Sequence, residues 1–64
     1  IFIFNYYLLY FINLNITPNP GGDVIHLELC SYMLIRGATL NGNGAAHETL
    51  KVNQSNHIYI ENSN

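Results

Sequence analysis

Two stretches of this chain alternate apolar and polar side chains in the same order. Residues 23 to 37, DVIHLELCSYMLIRG, align without a gap on residues 48 to 62, ETLKVNQSNHIYIEN, at a shift of 25 positions. Asp23 falls on Glu48, Ile25 on Leu50, Leu27 on Val52, Cys30 on Ser55, Ser31 on Asn56, Met33 on Ile58, Ile35 on Ile60 and Gly37 on Asn62. Only Ile35 and Ile60 are identical, so it is the pattern that recurs. A period of two sends one row of side chains inward and the other outward. Small residues mark one corner of each unit. Gly and Asn, which reach left-handed backbone geometry cheaply, mark the other. Each unit therefore predicts strand, corner, strand, corner. A hairpin would close on a tight two-residue turn. Here three residues, Gln54-Ser55-Asn56, separate the alternations, and an equivalent unit stands at a fixed interval. Self-similarity at such a period marks a solenoid, whose units bury their apolar faces by stacking. The expected fold is all-β, with residues 23 to 64 as two partial coils of a parallel β-solenoid.

The opening run, IFIFNYYLLYFINLNI, follows a different rule. It is apolar and aromatic throughout, broken by Asn5 and Asn13, and is shorter than the roughly 20 residues a membrane-spanning helix needs. No basic residue precedes it as a signal peptide would require. Two readings stay open, the tail of a truncated signal or anchor and buried β-structure, since Ile, Phe and Tyr favour strands. Thr17-Pro18-Asn19-Pro20-Gly21-Gly22 then ends any regular element. Residues 1 to 22 are thus set apart as an apolar N-terminal arm with a Pro/Gly linker, and residues 23 to 64 as the coil region. The absence of an initiator methionine fits a piece of a longer chain.

The unit LKVNQSNHIYIEN, and more loosely IHLELCSYMLIRGATLNGNG, resembles the rungs of right-handed parallel β-helix proteins of the pectate-lyase-like superfamily. In that family an apolar-x-apolar stretch, a Ser/Asn corner and Ile-x-Ile-x-Asn recur once per coil. The resemblance covers about two thirds of the chain and describes a coil shared by enzymes and non-enzymes. It implies an extracellular or cell-surface protein, carbohydrate-active or carbohydrate-binding, with lyases and hydrolases of acidic polysaccharides, adhesins and tailspikes as family precedents. No lyase or polygalacturonase signature matches position by position, so no catalytic residue is carried over and the enzyme question stays open. The alternatives are a purely structural or adhesive solenoid and a leucine-rich-repeat-like interaction module, whose repeats also run 20 to 29 residues. Met33-Leu34-Ile35 and Ile58-Tyr59-Ile60 weigh against the latter, because they are strand-like where such a repeat usually places a helix or irregular segment. A short peptide with no stable fold is a third class, since solenoids generally need three or more coils.

Stacking converts a shift of 25 into columns about 4.8 Å apart. Asp23 over Glu48 would set two carboxylates close enough to repel unless a cation or shared proton relieves them, and hard oxygen ligands suit Ca²⁺. His26, Glu28, Lys51 and Asn53 would share one outward face able to hold an extended polysaccharide, with Tyr59, Tyr32 and His57 as flat rings for stacking on sugars. Arg36 over Glu61 is expected to be a solvent-facing ion pair.

Charge narrows the partners. Two basic residues, Arg36 and Lys51, stand against four acids, for a net charge of −2. Nucleic-acid affinity scales with the phosphates neutralised, so so few cations argue against it, and equally against an anionic membrane surface. One cysteine, Cys30, permits no intrachain disulfide. It is expected to fill a small corner site, as Ser55 does one unit later. Other apparent motifs fade. His47-Glu48-Thr49-Leu50-Lys51 has lysine where a zinc protease needs its second histidine. Gly42-Asn43-Gly44 lacks the rest of a phosphate cradle and is expected to be a linking loop. Asn15-Ile16-Thr17 and Asn53-Gln54-Ser55 are glycosylation sequons, which ten asparagines make easy to find by chance.

Overall fold

The alternation over residues 25 to 36 becomes two strands because the chain turns at Leu29, whose φ of 56° is left-handed. The computed structural model describes residues 1–17, 23–42 and 47–64. Eight strands result: β1 (Phe2–Phe4), β2 (Tyr7–Ile12), β3 (Asn15–Ile16), β4 (Ile25–Glu28), β5 (Ser31–Arg36), β6 (Thr39–Leu40), β7 (Leu50–Asn53) and β8 (Asn56–Glu61). There is no helix among the described residues. The strands form three parallel sheets, ordered β1-β4-β7, β2-β5-β8 and β3-β6.

Consecutive strands never share a sheet, which excludes the hairpin. The expected columns are present: Ile25 pairs with Leu50, Leu27 with Val52, Met33 with Ile58 and Ile35 with Ile60, all in parallel. The second half of each unit is a six-residue strand, β5 and β8, as the argument against a leucine-rich repeat requires.

Of the two readings left open for the apolar N-terminal run, the structure has the β-strand one. Residues 1 to 16 form β1, β2 and β3, hydrogen-bonded to β4, β5 and β6 at a shift of 24, with Ile3 beside Leu27, Phe11 beside Ile35 and Ile16 beside Leu40. The physical reason is the middle unit's need for cover on both faces of its stack. Val24, Ile25, Leu27, Cys30, Met33, Ile35 and Ala38 form the buried core, packed by Ile3, Leu9, Phe11, Leu14 and Ile16 on one side and by Leu50 and Ile58 on the other. Full burial of a side chain of this kind contributes about 1.5–3 kcal/mol. The expected linker at Pro18–Gly22 and the Asn43-Gly44 part of the expected loop lie outside the described residues.

The corners repeat as faithfully as the strands. Asn5, Leu29 and Gln54 are left-handed at one corner, Asn13, Gly37 and Asn62 at another, and Leu8, Tyr32 and His57 at the second position of β2, β5 and β8. For non-glycine residues this geometry costs about 1 kcal/mol or more each. Hydrogen bonds between units offset that cost: Asn5 N–H donates to the Glu28 carbonyl (2.9 Å), Leu29 N–H to Asn53 (3.1 Å), Asn13 N–H to Arg36 (2.8 Å) and Gly37 N–H to Glu61 (3.0 Å). Side chains complete the set. Ser55 Oγ accepts from the Cys30 N–H at 2.9 Å and donates to its own unit's Asn53 carbonyl at 2.8 Å. Ser63 does the same for the Ala38 N–H and the Glu61 carbonyl, at 3.1 and 2.9 Å. The buried Cys30 thiol copies half of this arrangement, donating to Glu28 O at 3.4 Å.

Candidate functional site

Period-two alternation on β1, β4 and β7 turns Phe2, Phe4, His26, Glu28, Lys51 and Asn53 away from the core, and the register sets His26 beside Lys51 and Glu28 beside Asn53. Glu28 organises this face. Its carboxylate accepts from His26 Nε2 at 3.0 Å and from the Asn53 amide at 3.1 and 3.2 Å. An ionised carboxylate can only accept, which places the proton on His26 Nε2. The Phe2 ring stands edge-on to the imidazole, centroids 4.7 Å apart. The predicted residues His26, Glu28 and Asn53 are therefore joined into one hydrogen-bonded cluster, with Lys51 beside it and exposed. Its polar atoms already serve one another. The Asn53-Gln54-Ser55 sequon is committed in the same way, its amide to Glu28 and its hydroxyl to the Ser55 corner.

Tyr59 lies on a different sheet from the other four predicted binding residues. On the outward face of β2, β5 and β8, Tyr10, Leu34 and Tyr59 are register neighbours, as are Ile12, Arg36 and Glu61. Between these columns and the left-handed residues Leu8 and Tyr32 runs an open groove of about 230 Å³. Arg36 Nε donates to Glu61 Oε1 at 2.8 Å at its polar end, the solvent-facing pair expected from the sequence. Tyr32 lies flat on His57, centroids 4.3 Å apart and 8° from parallel, and Tyr7 meets Tyr32 edge-on at 5.4 Å. Sequence reasoning named Tyr32, His57 and Tyr59 as stacking rings but missed Leu8 and Tyr10. The available signal was Tyr10 standing 24 positions before Leu34.

Asp23 and Glu48 do come together. Glu48 N–H donates to Asp23 Oδ1 at 3.0 Å. His47 joins them, one ligand atom from each of the three lying within 4.8 Å of the others. This histidine adjoins Glu48 in the sequence, but it was weighed against the zinc-protease motif and, with Cys30, His26 and His57, against metal-ligand spacing, and not beside the two carboxylates. Two carboxylates and an imidazole fall short of the six to eight oxygens that Ca²⁺ takes, and one Asp23 oxygen already accepts a backbone hydrogen bond.

Comparison with protein-family models, with curated proteins and with solved structures produced no match for this chain. The functional reading accordingly rests on the residues themselves.

Proposed function

We propose that these residues are three stacked coils of a right-handed parallel β-helix at a cell surface, and that the outward face of β2-β5-β8 binds a neutral carbohydrate chain. The observation that carries the reading is the aromatic groove, in which Tyr10, Tyr32 and Tyr59 surround an apolar floor at Leu34. Aromatic rings offer flat apolar faces with a polar tip, a match for the C–H face and hydroxyl rim of a pyranose. The coil reading is supported by parallel pairing in every sheet and by the almost universal right-handedness of parallel crossovers.

Charge favours a neutral chain over the acidic polysaccharides that the family resemblance suggests. The groove's one cation, Arg36, is already neutralised by Glu61, so a uronate carboxylate would find no free partner there. The lining also contains a single carboxylate, whereas glycoside hydrolysis generally uses a pair. Binding rather than cleavage is the better account of these residues. At about 230 Å³ the groove is smaller than sites for drug-sized ligands, so it accommodates one or two sugar rings.

Titration of the labelled chain with neutral and with uronate oligosaccharides, followed by NMR, tests this. Shifts at Tyr10, Leu34 and Tyr59 with the neutral ligand, abolished by Tyr59→Ala, are expected. No shifts with either ligand, or shifts confined to His26, Glu28 and Asn53, would overturn the assignment to this face.

A further inference from the structure

The tautomer that Glu28 imposes on His26 leaves the other ring nitrogen facing Asp23, and from this we infer that Asp23, His26, His47 and Glu48 form a binding site for a divalent transition metal of the zinc kind, which clips the second unit of the stack to the third. The site shares no residue with the aromatic groove and does not depend on the carbohydrate reading.

The fixed half of the site belongs to the second unit. Glu28 Oε1 accepts from His26 Nε2 at 3.0 Å, so Nδ1 carries a lone pair. That atom faces Asp23 Oδ2 at 3.9 Å, beyond hydrogen-bond reach. A neutral imidazole nitrogen and a carboxylate oxygen are the forms in which these groups ligate a metal. A ligating histidine almost always donates its other N–H to a carboxylate or carbonyl, which fixes the ring and raises its basicity. Glu28 is in position to do this and is itself held by the Asn53 amide at 3.1 and 3.2 Å, while the Phe2 ring, edge-on at 4.7 Å, confines the imidazole. The His26 and Asp23 side chains are only 19% and 16% exposed, so both are held in place before any ion arrives.

The third unit supplies the other half. Glu48 N–H donates to Asp23 Oδ1 at 3.0 Å, which orients that carboxylate and leaves Oδ2 for a metal. One ligand atom each from Asp23, His47 and Glu48 lie within 4.8 Å of one another. Around a tetrahedral ion with bonds of about 2.0–2.2 Å, ligand atoms stand about 3.4 Å apart. The Asp23–His26 pair therefore closes by about 0.5 Å, and the pairs involving His47 and Glu48 by about 1.4 Å at most. Both of these side chains are exposed, and rotation about their own bonds supplies that movement.

The donor set selects the ion. Two imidazoles and two carboxylates suit Zn²⁺ and its neighbours, whereas Ca²⁺ and Mg²⁺ take shells of oxygen. The two carboxylates neutralise a dication. Lys51, beside His26 in register, is exposed and can extend its ammonium into water. Four protein ligands close the shell, which makes the ion's role structural. It would cross-link positions 25 apart, and closing such a loop lowers the entropy of the unfolded chain.

Calorimetric titration of the metal-free 64-residue chain with Zn²⁺ is expected to show one site, and saturating Zn²⁺ should raise Tm where the same concentration of Ca²⁺ does not. The three histidines report the location. In imidazole NMR spectra His26 and His47 should shift on zinc addition, with the His26 Nε2 proton retained, and His57 on β8 should not. His47→Ala, at an exposed position, should weaken zinc binding at least tenfold and leave the Tm of the metal-free chain unchanged. Glu28→Gln, which keeps an acceptor for His26 but removes its charge, should weaken it by about tenfold or more. The proposal is overturned by an unmodified chain that binds no zinc up to about 1 mM, by an equal rise in Tm with Ca²⁺, by a zinc shift at His57 as large as those at His26 and His47, or by undiminished affinity in His47→Ala.

Discussion

Replacing Ser55 by alanine removes one oxygen and leaves a buried donor without a partner. Ser55 Oγ is the acceptor for the Cys30 N–H at 2.9 Å, and Cys30 is fully buried at the centre of the core. Stranding a buried N–H costs about 1–3 kcal/mol. Ser55 itself is only half-buried, so water partly replaces it and the lower half of that range, about 1–2 kcal/mol, is expected. A chain of this length has a total stability of about 3–10 kcal/mol. Each kcal/mol shifts Tm by about 4–8 °C in a domain of this size, so Ser55→Ala should lower it by roughly 10 °C. Circular dichroism melts give the shift, and hydrogen exchange at Cys30 gives its location, since that amide should lose protection beyond the global change. Ser63→Ala provides the control. It removes the same kind of bond, to the Ala38 N–H at 3.1 Å, from an exposed position near the chain end, and should cost under about 1 kcal/mol. Equal losses at both sites, or a Ser55→Ala melt within 2 °C of the parent, would refute the view that the corner hydroxyls hold the stack together.

Other substitutions probe other parts of the same argument. Ile35→Ala should cost about 2–5 kcal/mol by denaturant titration, whereas Ile60→Ala, one unit along the same column but half exposed, should cost well under half as much. Gly37→Ala should destabilise by about 1 kcal/mol or more, because φ is +67° and the added Cβ would stand 2.5 Å from Asn13 Oδ1, so this side chain must also move. Asn62→Gly, at φ 48° on the same corner, should be neutral to slightly stabilising in the same melt. Arg36→Ala should change stability by less than about 1 kcal/mol, with little dependence of Tm on salt, because the Arg36–Glu61 pair is half exposed.

The resemblance between residues 23–37 and 48–62 was enough to establish strands, parallel pairing and the register of nine residue pairs from Ile25 to Arg36. Period-two burial and the rarity of cheap left-handed residues are local properties, and a column such as Ile35–Ile60 follows once the shift is known. The first unit was not legible because its outward positions are themselves apolar. Phe2, Phe4, Tyr10 and Ile12 erase the inside-outside contrast on which alternation depends, and its shift of 24 breaks the spacing of the later units. Leu29 and Tyr32 carry no propensity for φ near 57°, and the Leu29 corner is held by the hydrogen bond its N–H makes to the Asn53 carbonyl of the next unit.

The candidate sites divide along the same line. That Glu28 would meet Asn53, and Arg36 meet Glu61, follows from spacing, because neighbouring strands in register bring like positions together. That Tyr59 faces away from His26 and Lys51, and shares a groove with Leu8 and Tyr10 instead, depends on how much the chain turns between β7 and β8 and between β1 and β2. No single residue's propensity encodes that angle. It is decided by the core, where side chains from every sheet must fill one space, and by the corner hydrogen bonds that hold left-handed backbone in place.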